Sequence, residues 1–298
     1  MLKDITIGQY VPADSFVHKL DPRIKIILSI IYIINLFLID QYFGYVFVII
    51  FTAITILASK IQLRYIYKGL KPIFILLIIT AIMNILMTPG QSLVFKYGII
   101  KVYKEGLNIA GFMVLRLVFL IVGTSLLTLT TSPIELTDGL EKLMSPLKKI
   151  GISSHDLAMM MTIALRFIPT LIDETDKIMK AQMARGADFE SGNLLQRSKN
   201  LIPVLVPLFI SSFRRADELA MAMEARCYRG GEGRTRMKIL KFHSRDGIAI
   251  LVTAMLVVVS IWSRFYWLLI RKIHSEMKPL ALFIVRVKVS LIIIYIKI

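Results

Sequence analysis

Residues 107–129 read LNIAGFMVLRLVFLIVGTSLLTL, 23 positions carrying a single charge, Arg116. A helix needs about 20 mostly apolar residues to cross a bilayer's hydrocarbon core, and this run supplies them. Immediately beyond it the pattern changes. Ser132-Pro133-Ile134-Glu135 reads as a helix start: Ser132 caps, Pro133 suits the first helical position, and Glu135 completes a capping box. The join near residue 130 therefore separates a spanning segment from a helix in polar surroundings.

Working outward, Ile24–Ile39, Phe43–Ala58 and Leu70–Met87 are three earlier apolar runs of membrane length, and Gly247 to about Leu269 is a later one. Trp262, Tyr266 and Trp267 stand where an interfacial aromatic belt belongs. The pattern predicts an all-α polytopic membrane protein, with about five transmembrane helices and a cytoplasmic block of amphipathic helices. Residues 1–130 form the membrane domain, with spans near 24–39, 43–58, 70–87 and 107–129. Residues 131–245 form the cytoplasmic block, 246–269 the fifth span, and 270–298 a tail. Ala281–Ile298 is apolar but holds Arg286 and Lys288, and a basic residue at mid-span costs roughly 2.5–3.5 kcal/mol. An interfacial tail and a sixth span both remain open there.

Composition agrees. Of 298 residues, 56% are hydrophobic and only 19% charged, against roughly 25% charged in soluble domains. Mean hydropathy is +0.69. The formal net charge of +17 would suggest nucleic acid in a soluble protein. Here it reflects basic loops held on the cytoplasmic side, so no nucleic-acid partner is expected. Lys3, Lys19, Arg23 and Lys25 before the first span, and Lys60, Arg64, Lys68 and Lys71 between the second and third, place the N-terminus on the cytoplasmic side of the cell membrane. Only the loop Thr88–Gly106, with Lys96, Lys101 and Lys104, runs against that bias. One cysteine, Cys227, and four scattered histidines exclude a disulfide scaffold and give no metal-ligand spacing. No cofactor is expected.

Thr131–Arg245 reads as too polar for lipid and helical almost throughout. After the short helix, which should end near Ser145-Pro146, a second begins past Gly151 with Ser153 or Ser154 as cap and Asp156 at the favourable dipole end. It continues to Gly186 with a kink at Pro169, and Leu171, Met179 and Met183 lie on its apolar face. A third runs from about Leu194 to Arg226, interrupted by Pro203 and Pro207, with Phe209, Phe213, Ala216, Ala220 and Met223 along one face. Both long helices end alike, on Ala184-Arg185-Gly186 and Ala225-Arg226-Cys227. Arginine in a last turn complements the negative dipole end, and glycine beyond it supplies a left-handed stop. Ordinary helix-end charges would look the same. The repetition favours two docking knobs, for two similar receptors or one of twofold character.

Weaker signals are read as structural. Tyr228–Arg234 is Gly-rich but lacks a P-loop pattern. Asp173, Glu174 and Asp176, with Lys177 and Lys180 one turn on, read as a solvated face, and His155 as a surface residue. Met144 and Met159–Met161 suit adaptable packing. Arg116, near mid-span, is a functional candidate by default, its commoner role being an ion pair or backbone contact inside the bundle. No catalytic constellation emerges.

Leu20-Asp21-Pro22-Arg23-Ile24-Lys25 ahead of the first span, Ser125–Pro133 after the fourth, and the two Ala-Arg ends together resemble one family. It is the transmembrane T component of energy-coupling factor (ECF) transporters, related to the cobalt-transport permease subunit. The resemblance covers roughly Met1–Trp267, with the motifs in family order, and includes Asp21, Pro22 and Arg23. Cys227 stands where the second signature has Gly, and the segment from Leu268 matches nothing in the pattern. What the resemblance implies is a scaffold without enzymatic activity of its own. Two ABC-type ATPase subunits would bind Ala184, Arg185 and Gly186 on one coupling helix and Ala225, Arg226 and Cys227 on the other. A separate small substrate-binding membrane subunit would carry a vitamin or metal ion. The long helices would shift their tips together, so that a disulfide near Ala187 and Tyr228 would staple them. Two alternatives stand beside this: a membrane enzyme gripping lipid phosphates with Arg185 and Arg226, and a self-contained secondary transporter using Arg116.

Overall fold

A computed structural model describes residues 10–90, 92–97, 100–146, 154–189, 191, 193–230, 240–267 and 269. In chain order the elements are α1 (Pro22–Leu38), α2 (Tyr42–Ser59), α3 (Leu63–Leu70), a 3-10 turn (Lys71–Ile73) and α4 (Phe74–Met87). An antiparallel hairpin of β1 (Leu93–Tyr97) and β2 (Ile100–Tyr103) follows. Then come α5 (Lys104–Thr130), α6 (Pro133–Met144), α7 (Ser154–Ala184), α8 (Leu194–Ala225) and α9 (Ser244–Trp267). The hairpin falls in the stretch read from sequence as a plain loop; the class remains all-helical.

The chain divides into two compact units. One takes the described residues of Met1–Pro12, Asp21–Ile26 and Thr128–Phe242; the other takes those of Ala13–Leu20, Ile27–Leu127 and His243–Ile298. In the latter, the core forms around Tyr32, Leu36, Ile39, Tyr45, Val48 and Leu256, with Phe112, Phe119 and Leu120 packed against it. Lipid tails are as apolar as leucine, so close packing and interhelical hydrogen bonds must hold such helices together. Both are present. Tyr32 Oη pairs with Thr52 Oγ1 at 3.1 Å and donates to the Phe119 carbonyl at 3.3 Å. Asn35 Nδ2 donates to Ser260 Oγ at 3.1 Å, joining α1 to α9. Gly123 lets the Tyr32 ring approach α5, since a Cβ there would meet the ring at 2.5 Å. Large apolar side chains such as Leu57, Ile75 and Met87 point outward, as a lipid-facing surface requires.

The other unit holds α6, α7 and α8. Ser132 caps α6 as the sequence predicts, its Oγ accepting the Glu135 N–H at 3.3 Å, and the helix ends at Met144 before Ser145 and Pro146. α7 begins at Ser154 with Asp156 in its first turn; Gly151 and Ser153 lie outside the described residues. The expected interruptions of α8 do not occur. Pro203 and Pro207 sit inside one continuous helix, as Pro169 does in α7. Each proline removes one backbone bond, and neighbouring bonds and the packing of α7 on α8 sustain the rest.

Five described helices are long and apolar enough to cross a membrane: Tyr42–Ser59, Leu63–Met87, Lys104–Thr130, His155–Ala184 and Ser244–Trp267. This differs from the sequence reading at two places. The predicted first span is α1, whose 17 residues rise about 26 Å, at the short limit for crossing. The stretch His155–Ala184, read as too polar for lipid, meets the same length and composition standard as the spans. The segments Ala281–Ile298 and Gly231–Arg234 lie outside the described residues.

Candidate functional site

The two Ala-Arg ends are the same structure built twice. At the end of α7, Gly186 N–H donates to the Met183 carbonyl and Ala187 N–H to the Gln182 carbonyl, both at 3.0 Å. At the end of α8, Cys227 N–H donates to the Glu224 carbonyl at 2.8 Å and Tyr228 N–H to the Met223 carbonyl at 3.0 Å. Each is a Schellman cap in identical register, satisfying carbonyls that the helix end leaves open. Gly186 has φ +89° and Cys227 φ +57°, both left-handed. Arg185 and Arg226 thus occupy the C-cap position, beside the negative end of the helix dipole. Ala184, Arg185, Gly186, Ala225, Arg226 and Cys227 are all exposed. Neither guanidinium is hydrogen-bonded or ion-paired among the described residues.

Four contacts fix how α7 and α8 pair. Tyr228 Oη donates to Met159 Sδ at 3.1 Å. Glu174 accepts from Ser211 Oγ and pairs with Arg215 Nη2 at 2.8 Å. Gln182 Nε2 donates to the Pro203 carbonyl at 3.4 Å. As the α7 position rises, its α8 partner falls, so the helices are antiparallel. The tip of α8 is therefore level with Met159, about seven turns and roughly 39 Å from Arg185 along α7. This corrects the expectation that the tips approach one another. A disulfide needs Cα atoms within about 7 Å, so positions near Ala187 and Tyr228 cannot be stapled. Between the helices lies a groove of about 310 Å³, lined by Phe167, Leu171, Ala216, Ala220 and Met223 among others. Phe209 and Phe213, placed by periodicity on the same face, stay largely exposed.

Glu174 also departs from its reading as a solvated charge: it crosses to α8. Asp176 does behave as read, pairing with Lys180 at 3.1 Å on the same helix. His155 is no simple surface residue, since its Nδ1 lies 3.2 Å from Glu141 Oε1 and ties α7 to α6.

The Asp21-Pro22-Arg23 motif becomes a compact knot. Pro22 opens α1, and Asp21 Oδ1 accepts the Arg23 N–H at 3.0 Å. Arg23 grips the same carboxylate with Nε at 3.1 Å and Nη2 at 2.7 Å. Its Nη2 also reaches the Leu240 carbonyl at 3.3 Å, and its guanidinium lies 4.8 Å from the Phe242 ring centre. Buried Lys25 donates to the Thr130 carbonyl at 2.9 Å, placing a cation at the negative end of α5. Sequence reasoning gave Lys25 only a part in charge bias and in the family motif. Its partner lies too far along the chain for any local pattern to show.

Arg116 takes the commoner of the two roles weighed for it. Its Nη2 donates to the Ile39 carbonyl at 3.3 Å and lies 3.9 Å from Asp40, which Arg264 also approaches at 3.2 Å. Phe37 offers its ring face at 5.2 Å. Although numerically central in α5, Arg116 serves the α1–α2 connection. Among the described residues no group of histidines, cysteines and carboxylates forms a metal site.

Residues 13–238 match the family described as cobalt transport protein. The chain is 70% identical over 268 residues to the energy-coupling factor transporter transmembrane protein EcfT of Clostridium kluyveri, covering 90% of this chain and 99% of that one. It is 56% identical over 266 residues to the protein of the same description from Thermosediminibacter oceani, covering 89% and 100%. The Bacillus subtilis protein of that description is 50% identical over 246 residues, covering 83% and 93%.

Proposed function

Given that the chain belongs to the EcfT family of energy-coupling factor transporter transmembrane proteins, we propose that it is the scaffold coupling two ABC-type ATPase subunits to a separate substrate-binding membrane subunit. One ATPase subunit receives Ala184, Arg185 and Gly186; the other receives Ala225, Arg226 and Cys227. The substrate-binding subunit carries a vitamin or a metal ion. The N-terminus and the coupling helices α7 and α8 face the cytoplasm, where ATP is. ATP hydrolysis belongs to the partners.

One observation carries this reading. Two exposed arginines without partners among the described residues sit on two caps of identical geometry, at opposite ends of an antiparallel helix pair. Repetition of a surface implies a repeated receptor, and the roughly 39 Å spacing favours two receptors over one shared pocket. The caps fix the backbone of each arginine at a defined point, so binding has only the side chain left to order. The self-contained transporter reading loses its support, because Arg116 is engaged with Ile39 and Asp40.

Affinity purification of the full chain from native membranes tests the proposal. Two nucleotide-binding chains should co-elute in stoichiometric amounts, together with a small membrane protein. Recovery of this chain alone under conditions that preserve other membrane complexes would overturn it.

A further inference from the structure

Helix α3 presents three distinct faces. Ile66 is buried and Gly69 lies close to α5, where a Cβ would stand 3.3 Å from Ser125 Oγ; these hold the helix in place. On a second face, one turn apart, Leu63 is 70% and Tyr67 69% exposed. On a third, at the same one-turn spacing, lie Arg64 and Lys68, continued by Lys71 in the following turn, all exposed. Around a helix at 100° per residue the basic face lies roughly a quarter-turn from the apolar one.

The setting removes the ordinary explanations. No Asp or Glu occurs between Asp40 and Glu105. None of Arg64, Lys68 and Lys71 is paired among the described residues. Membrane crossing does not require α3 either. Leu70–Met87 is 18 residues, roughly 27 Å as helix, which reaches across most of the hydrocarbon core. Lys60 in left-handed conformation at φ 55° separates α3 from α2, and the 3-10 turn containing Pro72 interrupts the α-helical bonding between α3 and α4 while the backbone stays helical. An exposed apolar stripe flanked by unpaired cations is the pattern of a helix lying in a membrane surface, with anionic headgroups beside it.

We propose that α3 is a membrane-surface helix whose Arg64, Lys68 and Lys71 bind the phosphates of anionic phospholipid headgroups while Leu63 and Tyr67 enter the acyl boundary beneath. The inference needs the chain to be a membrane protein and is independent of any ATPase partner. Charge complementarity selects the occupant: an apolar protein partner would cover Leu63 and Tyr67 but leave three cations unmatched.

Spin labels at Leu63→Cys and, separately, Arg64→Cys, in the full chain with Cys227→Ser, test this in reconstituted vesicles. One set contains phosphatidylcholine alone and the other adds phosphatidylglycerol. With phosphatidylglycerol, the label at 63 should lie roughly 5–10 Å below the phosphates, protected from a water-soluble relaxer and open to oxygen. The label at 64 should sit at headgroup level. Removing phosphatidylglycerol, or combining Arg64→Gln, Lys68→Gln and Lys71→Gln, should lift the label at 63 towards water. The lipid exchange needs no charge variant, so a folding failure in the triple variant leaves the test intact. The proposal falls if the label at 63 is water-accessible in both vesicle types. It falls also if its depth ignores headgroup charge, or if the label is shielded only when other protein subunits are bound.

Discussion

Gly186 and Cys227 hold the same place in two equivalent chain reversals, each donating its N–H to a carbonyl three residues back from a left-handed backbone. Only one of them is glycine. A side chain in that conformation costs roughly 1–2 kcal/mol, and a Cβ at Gly186 would meet nothing within 4 Å. Packing therefore drops out, and the backbone alone decides the effect. Gly186→Ala should lower stability by about 1 kcal/mol and Cys227→Gly should raise it by a similar amount. Thermal unfolding of the purified chain in detergent reads both, and equal midpoints for all three proteins would contradict the assigned cap geometry.

The arginines on these caps should matter for assembly and not for folding. Truncating an interface charge that is hydrogen-bonded on binding costs about 2–5 kcal/mol, much of it from the group left unpaired. Arg185→Ala and Arg226→Ala should each cut the recovery of nucleotide-binding chains at limiting concentration. Lysine should restore only part, because the planar fork is lost. The tips are far enough apart that their effects should add. Normal recovery and uptake with both arginines removed would make them ordinary helix ends.

The knot at the start of α1 should be a stability element. Asp21 has 1% of its side chain exposed and Arg23 20%, so removing one partner strands a charge. Asp21→Ala should cost about 3 kcal/mol. Arg23→Lys should cost less, since the charge stays while the two-pronged grip and the contact with Leu240 go. The unfolding midpoints should fall in that order. An Asp21→Ala protein as stable as its parent would show that the ion pair does not hold this region.

Whether α7 crosses the membrane is open to direct measurement. A cysteine placed within Gln196–Asn200, in the first turns of α8, should resist an impermeant reagent in intact cells. Labelling only after permeabilisation places this segment inside. Ready labelling of intact cells would put it on the outer side and assign α7 to the membrane.

Composition and order along the chain carried the class, most of the long apolar helices and the likeness of the two Ala-Arg ends. The reason is physical: a span must be apolar over contiguous residues, and a cap is completed within about five. Ser132 bonding Glu135 and Gln182 closing on Ala187 are interactions of that reach. The sequence misjudged what depends on distant partners. Pro203 and Pro207 look like breaks until α8 is seen running unbroken against α7. Glu174 looks solvated until Ser211 and Arg215 arrive from 37 and 41 positions away. Lys25 finds Thr130 across 105 positions, and Arg23 finds Leu240 across 217. Above all, the sequence shows two matching tips but not where they stand. That they lie at opposite ends follows from the antiparallel register of α7 and α8. Side chains far apart in the chain set that register, and no local pattern encodes it.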